Sequence, residues 1–202
     1  MTAPTPRLLP LLALGAFASQ ASIRLVDPLL PQLSREFGAS ISQLSDAITA
    51  FAIAYGLMQV VYGPMADRLG KLRVIAWATA AASVGSFACA AAAGVPSLIV
   101  LRALTGAACA ALIPLAIAWI GDTVEYSQRQ PVLARFLIGS TTGIVFGQVA
   151  AGIFADTIGW RASFVTPGVL FLVVSIALFS RLRDRSTEPV SALRSKSLPE
   201  RT

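Results

Sequence analysis

Six apolar blocks, each long enough to cross a lipid bilayer as a helix, divide this 202-residue chain at about 8–30, 43–66, 73–94, 97–120, 132–155 and 162–180. A helical span needs ~20 residues. The blocks are too long for strands, rich in Ala and Leu, and show no alternation of apolar and polar positions. A chain that is 55% hydrophobic and only 13% charged, with a mean hydropathy of +0.72, is too apolar for an ordinary soluble domain. The sequence therefore predicts an all-α polytopic membrane protein, with a six-helix bundle over 1–181 and a basic tail over 182–202.

The net charge of +6 is not a nucleic-acid signal, because the placement of the cations points to membrane topology. Twelve flank one set of loops: Arg7, Arg68, Lys71, Arg73, Arg129, Arg135, Arg181, Arg183, Arg185, Arg194, Lys196 and Arg201. The opposite loops hold Arg35 and Arg161, while Arg24 and Arg102 fall inside spans. By the positive-inside rule both termini are expected in the cytoplasm. Arg7, an apolar run and Ala18-Ser-Gln-Ala21 have the form of a signal peptide. The run continues to Leu30 and five more spans follow, so an uncleaved first helix is expected.

Chemistry is constrained by what is missing. The sequence has no histidine, so a proton relay would have to use carboxylates. Cys89 and Cys109 fall in spans and read as packing residues rather than a disulfide or metal framework. No Ser/His/Asp set, phosphate-binding Gly-rich loop of the G-x-x-x-x-G-K type or metal spacing occurs, which argues against an enzyme or an ATP-driven pump and for no cofactor.

The charged turn between the second and third blocks reads Gly63-Pro-Met-Ala-Asp67-Arg68-Leu-Gly70-Lys71-Leu-Arg73. Its glycines can bend the backbone and its cations resist crossing the bilayer. The stretch Gln59–Gly70 recurs 89 residues later as Gln148–Gly159, with six of twelve positions identical, including the Gln and the Asp. The repeat unit is three spans, about 8–94 and 97–181. Because three is odd, the second copy is inverted in the membrane. Inverted three-span repeats recur in transporters, with the binding site between repeats near the midplane.

These residues resemble the N-terminal six-helix half of a major facilitator superfamily transporter. The turn is similar to that superfamily's signature G-x-x-x-D-[RK]-x-G-x-[RK]-[RK] through Gly63, Asp67, Arg68, Gly70 and Arg73; Leu72 replaces one cation, with Lys71 beside it. Arg102-x-x-x-Gly106 resembles the fourth-span motif associated with proton coupling. Gly143-x-x-x-Gly147-Gln148-x-x-Ala151-Gly152 resembles the exporter motif G-x-x-x-G-P-x-x-G-G, with Gln at the proline and Ala at one glycine. Asp27-Pro28-Leu-Leu-Pro31 looks like the end of span 1 in exporters. The resemblance covers about 8–181, half of a typical member. It implies proton-linked efflux of small molecules by alternating access, in a bacterial inner (plasma) membrane. A second six-helix half would come from a homodimer or a separately encoded chain. It further implies that spans 1 and 4 line the cavity and that spans 2 and 5 face the other half.

Arg24 and Asp27, three apart, share a helical face, and helix rise places them at a depth Arg102 can share. Ionisable residues inside a span are expensive and usually face a cavity or a partner. Two readings stand side by side: Asp27 binds a proton or cationic substrate under the control of Arg102, or the group is an interfacial salt bridge that fixes packing. Asp67, Lys71 and Asp122 form a second cluster, read as a conformational gate by resemblance and otherwise as solvated topology-setting charges. Tyr55, Gln59 and Tyr62 make a weakly polar stripe that either lines a substrate path or bonds between helices. Gly139, Gly143, Gly147 and Gly152 predict a close-packing face, and Pro167-Gly168 predicts a kink. The rival functions are a non-transporting truncated protein or interaction subunit and, less supported for want of a selectivity loop, an oligomeric channel.

Overall fold

The computed structural model describes residues 8–186. The expected basic tail therefore lies largely outside the described residues, as do Arg7, Arg194, Lys196 and Arg201. Its first residues, up to Ser186, continue the last helix.

Among the described residues eight α-helices follow in order: α1 Leu9–Ile23, α2 Leu30–Phe37, α3 Ile41–Leu69, α4 Lys71–Ala90, α5 Val95–Cys109, α6 Leu112–Thr123, α7 Tyr126–Thr157 and α8 Trp160–Ser186. They form six spans of sufficient length and apolarity to cross a membrane. Span 1 joins α1 and α2, span 4 joins α5 and α6, and α3, α4, α7 and α8 are spans 2, 3, 5 and 6.

Spans 1 and 4 occupy equivalent places in the two repeats, and both are discontinuous. Each is 29 residues long and each breaks after a first helix of 15 residues. A proline causes each break, because it has no N–H for the carbonyl four residues earlier. Pro28 withholds that bond from Arg24 and Pro114 withholds it from Ala110. In span 1 the chain recovers through a 3₁₀ turn, Asp27–Leu29, with the Asp27 N–H donating to the Arg24 carbonyl at 3.3 Å. Span 1 was expected to end near residue 30; α2 prolongs it to Phe37 as an amphipathic segment. The kink expected at Pro167-Gly168 is not a break, since α8 runs continuously through it.

The turns repeat as well. Gly70 and Gly159, 89 residues apart, adopt φ +90° and +97°, a region that glycine enters without steric cost. Each lets a long helix reverse into the next within one or two residues. Span 2 begins instead with a capping box: Ser40 Oγ accepts the Gln43 N–H and Gln43 Oε1 accepts the Ser40 N–H, which satisfies two orphan donors.

Three packed pairs dominate the bundle: span 1 with 5, span 2 with 4, and span 3 with 6. Exchanging the repeats converts the first pair into the second and returns the third to itself, as an inverted duplication requires. The third pair carries reciprocal bonds, Ser83 Oγ to the Gly168 carbonyl at 2.8 Å and Ser175 Oγ to the Ala76 carbonyl at 3.3 Å. The other two pairs close on glycine. A Cβ on Gly143 or Gly147 of span 5 would fall on the Phe17 or Ala21 carbonyl of span 1, and one on Gly106 of span 4 would fall on the Phe51 carbonyl of span 2. Spans 2 and 5 keep broad outer faces: only 17% and 22% of their central windows are buried, against 44–56% elsewhere.

Candidate functional site

Two polar clusters lie on this scaffold. The first sits at the break in span 1. Once Asp27 has turned its N–H to Arg24, the Ile23 carbonyl is free to take another donor. It accepts Arg102 Nη2 of span 4 at 3.3 Å. Arg102 is buried, its guanidinium stacks 4.1 Å from the centre of the Phe51 ring of span 2, and its Nε has no partner. No carboxylate lies within ion-pair distance of it among the described residues. Such a cation has lost its water and is compensated only by one carbonyl, the electron-rich face of an aromatic ring and more distant charge.

Asp27 itself is half-buried. Arg24 Nη1 lies 3.5 Å from its Oδ2 and Gln148 Nε2 of span 5 donates to the same oxygen at 3.4 Å. Both contacts are long, and Arg24 is largely exposed. The cluster thus joins a weakly held carboxylate to a buried guanidinium through three residues of span 1. Phe51 continues the cluster along span 2: it stacks on Tyr55 at 6.1 Å with 17° between the rings. Gln59 is exposed, whereas Tyr62 turns into the core.

The second cluster lies at the charged turn. Lys71 Nζ donates to Asp122 Oδ2 at 2.6 Å, which ties the start of span 3 to the end of span 4. Asp67, Gly70, Lys71, Arg73 and Asp122 share the walls of an open recess of about 540 Å³. Asp67 is exposed, with no ion pair among the described residues, and Arg68 and Gly63 lie outside the recess, exposed. At the opposite end, repeat-equivalent elements meet with different chemistry. Glu36, at the end of span 1, accepts from Trp160 Nε1 at 2.6 Å and Arg161 Nη1 at 2.8 Å at the start of span 6.

The four span-5 glycines do not behave alike. Gly143 and Gly147 abut the span 1 backbone, Gly152 has only ordinary contact with Pro28, and Gly139 faces open space. Three participants escaped sequence reasoning: Phe51 beneath Arg102, Gln148 beside Asp27, and Glu36 beside Trp160. The repeat does flag Gln148, because it matches Gln59; nothing in the sequence singles out Phe51.

A bundle of six helices long and apolar enough to cross a membrane, packed as two inverted triplets, defines a polytopic integral membrane protein. The chain belongs to the Major Facilitator Superfamily, whose sequence profile matches residues 12–201. Among its relatives, the MFS-type transporter YybF of Bacillus subtilis (strain 168) is 26% identical over 168 residues, covering 83% of this chain and 42% of the relative. The multidrug export protein EmrB of Escherichia coli (strain K12) is 24% identical over 176 residues, covering 87% of this chain and 34% of EmrB. The chain thus spans about two fifths or less of the length of these relatives. The crystal structure of the POT family transporter PepTSo superposes with a TM-score of 0.75 at 20% identity, over 88% of this chain and 38% of that one, which shows a shared fold.

Proposed function

We propose that this bundle works as one half of an alternating-access transporter that exports small molecules in exchange for protons. It would sit in a bacterial inner membrane with both termini cytoplasmic and rock against a second six-helix half. The observation that carries this reading is the cluster at the span 1 break. Asp27 is held only by two long contacts, to Arg24 and Gln148, and it lies within a few residues of a carbonyl that a buried guanidinium on span 4 grips. A change in the charge of Asp27 is therefore felt by the two discontinuous helices that cross at the repeat interface, where transporter sites of this architecture lie. The exposed faces of spans 2 and 5 supply the surface for the second half, from a second copy, a separate chain or a longer polypeptide. The recess at Asp67, Lys71, Arg73 and Asp122 would act as the gate, with Gly63, Arg68 and Gly70 shaping its turn.

Two measurements test this. Cross-linking in native membranes should trap this six-helix chain against a six-helix partner; if the 202-residue chain stays monomeric there, active transport by it as a separate polypeptide is ruled out. In vesicles carrying that assembly, a pH gradient should drive export of a lipophilic cationic dye, and Asp27→Asn should abolish it. Gradient-driven export that survives Asp27→Asn overturns the role of the carboxylate.

A further inference from the structure

We propose that the groove between α3 and α4 binds an anionic phospholipid, with an acyl chain in the groove and the headgroup against Arg73 and Arg183. The groove, of about 620 Å³, is walled by Tyr62, Met65 and Leu69 of α3 and by Val74, Ala78 and Ala81 of α4. Its lining is apolar apart from one cation, Arg73, and the Tyr62 hydroxyl. Trp77, 69% exposed, lines the same groove and meets Phe179 of span 6 edge-on at 5.0 Å.

That aromatic pair fixes where the charges fall. Helices α4 and α8 run antiparallel, one leaving the charged turn and the other returning towards its side. Arg73 precedes Trp77 by four residues and Arg183 follows Phe179 by four. Residues four apart share a helix face one turn removed. Both arginines therefore lie one turn beyond the Trp77–Phe179 pair on the same side, at the same end of the bundle. Both are exposed. Trp77 stands six residues into α4, about 9 Å along its axis, a depth suited to an aromatic belt at the headgroup boundary. Two cations above an aromatic step, with an apolar channel leading inward, complement a phosphate diester and its chain. Basic pockets between spans recognise anionic headgroups on this principle. The proposal needs only insertion in a bilayer and is independent of transport.

The test uses the purified full chain in vesicles containing phospholipid brominated in its acyl chains, which quenches tryptophan on contact. Trp119 and Trp160 are 7% and 1% exposed, so quenching reports chiefly on Trp77. Brominated phosphatidylglycerol should quench at lower mole fraction than brominated phosphatidylcholine. At about fivefold in relative binding constant per arginine, the preference is on the order of 25-fold. It should fall about fivefold in Arg73→Gln or Arg183→Gln, nearly vanish in the double variant, and persist in Arg135→Gln on α7, while Trp77→Phe should remove most of the quenching by either lipid. Equal quenching by the two lipids in the wild type, which requires no variant to fold, overturns the proposal. So does a preference that survives the double substitution, or a Trp77 that neither lipid reaches because protein covers the groove.

Discussion

Arg102 lies with its guanidinium 4.1 Å from the Phe51 ring centre, buried and without a carboxylate in reach among the described residues. Packing alone gains little from that arrangement, because a desolvated cation short of partners is commonly no better than an apolar side chain of similar volume. Arg102→Met should therefore leave thermal stability in detergent unchanged or raise it, while abolishing gradient-driven transport. Arg102→Lys keeps the charge but loses the planar stack, and should lose about 1–2 kcal/mol of stability. A melting series with paired flux measurements separates the two effects; an unstable Met variant would make the residue structural.

Glycines that look alike in span 5 should respond differently. Gly143→Ala and Gly147→Ala each place a methyl group against span 1 backbone and should cost about 1–3 kcal/mol. Gly139→Ala meets nothing within 4 Å and should be neutral or gain up to about 1 kcal/mol from helix propensity. Chemical or thermal unfolding in detergent decides this, and equal losses at all three sites would contradict the packing described.

At the opposite end, Trp160 is buried and its Nε1 depends on Glu36. Glu36→Gln retains an acceptor and surrenders only an exposed ion pair with Arg161, so it should be nearly silent. Glu36→Ala leaves the indole N–H unpaired and should cost about 1–3 kcal/mol. Indole fluorescence during unfolding will report the difference.

The inverted repeat predicts that the Asp67 and Asp156 turns lie on opposite membrane faces. Single cysteines there, challenged with a membrane-impermeant maleimide in sealed vesicles of one orientation, should label only one of the two before lysis and both after it. Cys89 and Cys109 are fully buried, so the background should be low. Labelling of both turns from one side would dismantle the repeat.

Much of the fold was legible because lipid imposes a length and an apolarity that composition reveals directly. The six spans, the repeat at Gln59–Gly70 and Gln148–Gly159, and the tight turns at Gly70 and Gly159 follow from that and from glycine's backbone freedom. The breaks were harder to see. Pro28 and Pro114 mark them, yet Pro64, Pro131 and Pro167 sit inside continuous helices, because neighbouring helices decide whether a lost bond becomes a rupture. Of the candidate clusters, Lys71 with Asp122 and Arg24 with Asp27 could be anticipated from charge and spacing. The hold of Arg102 on the Ile23 carbonyl could not, because it exists only after the backbone of span 1 has opened.

The close crossings of spans 1 with 5 and 2 with 4 show how far the duplicated halves have diverged. Phe17 and Gly106 occupy matching positions 89 residues apart, yet Phe17 offers its carbonyl to a notch in span 5, whereas Gly106 is itself the notch that receives Phe51. Knob and socket have changed hands between the copies. Grafting one triplet's residues onto the other by alignment would therefore leave a collision at one crossing and a void at the other, so each triplet now fits only its own counterpart.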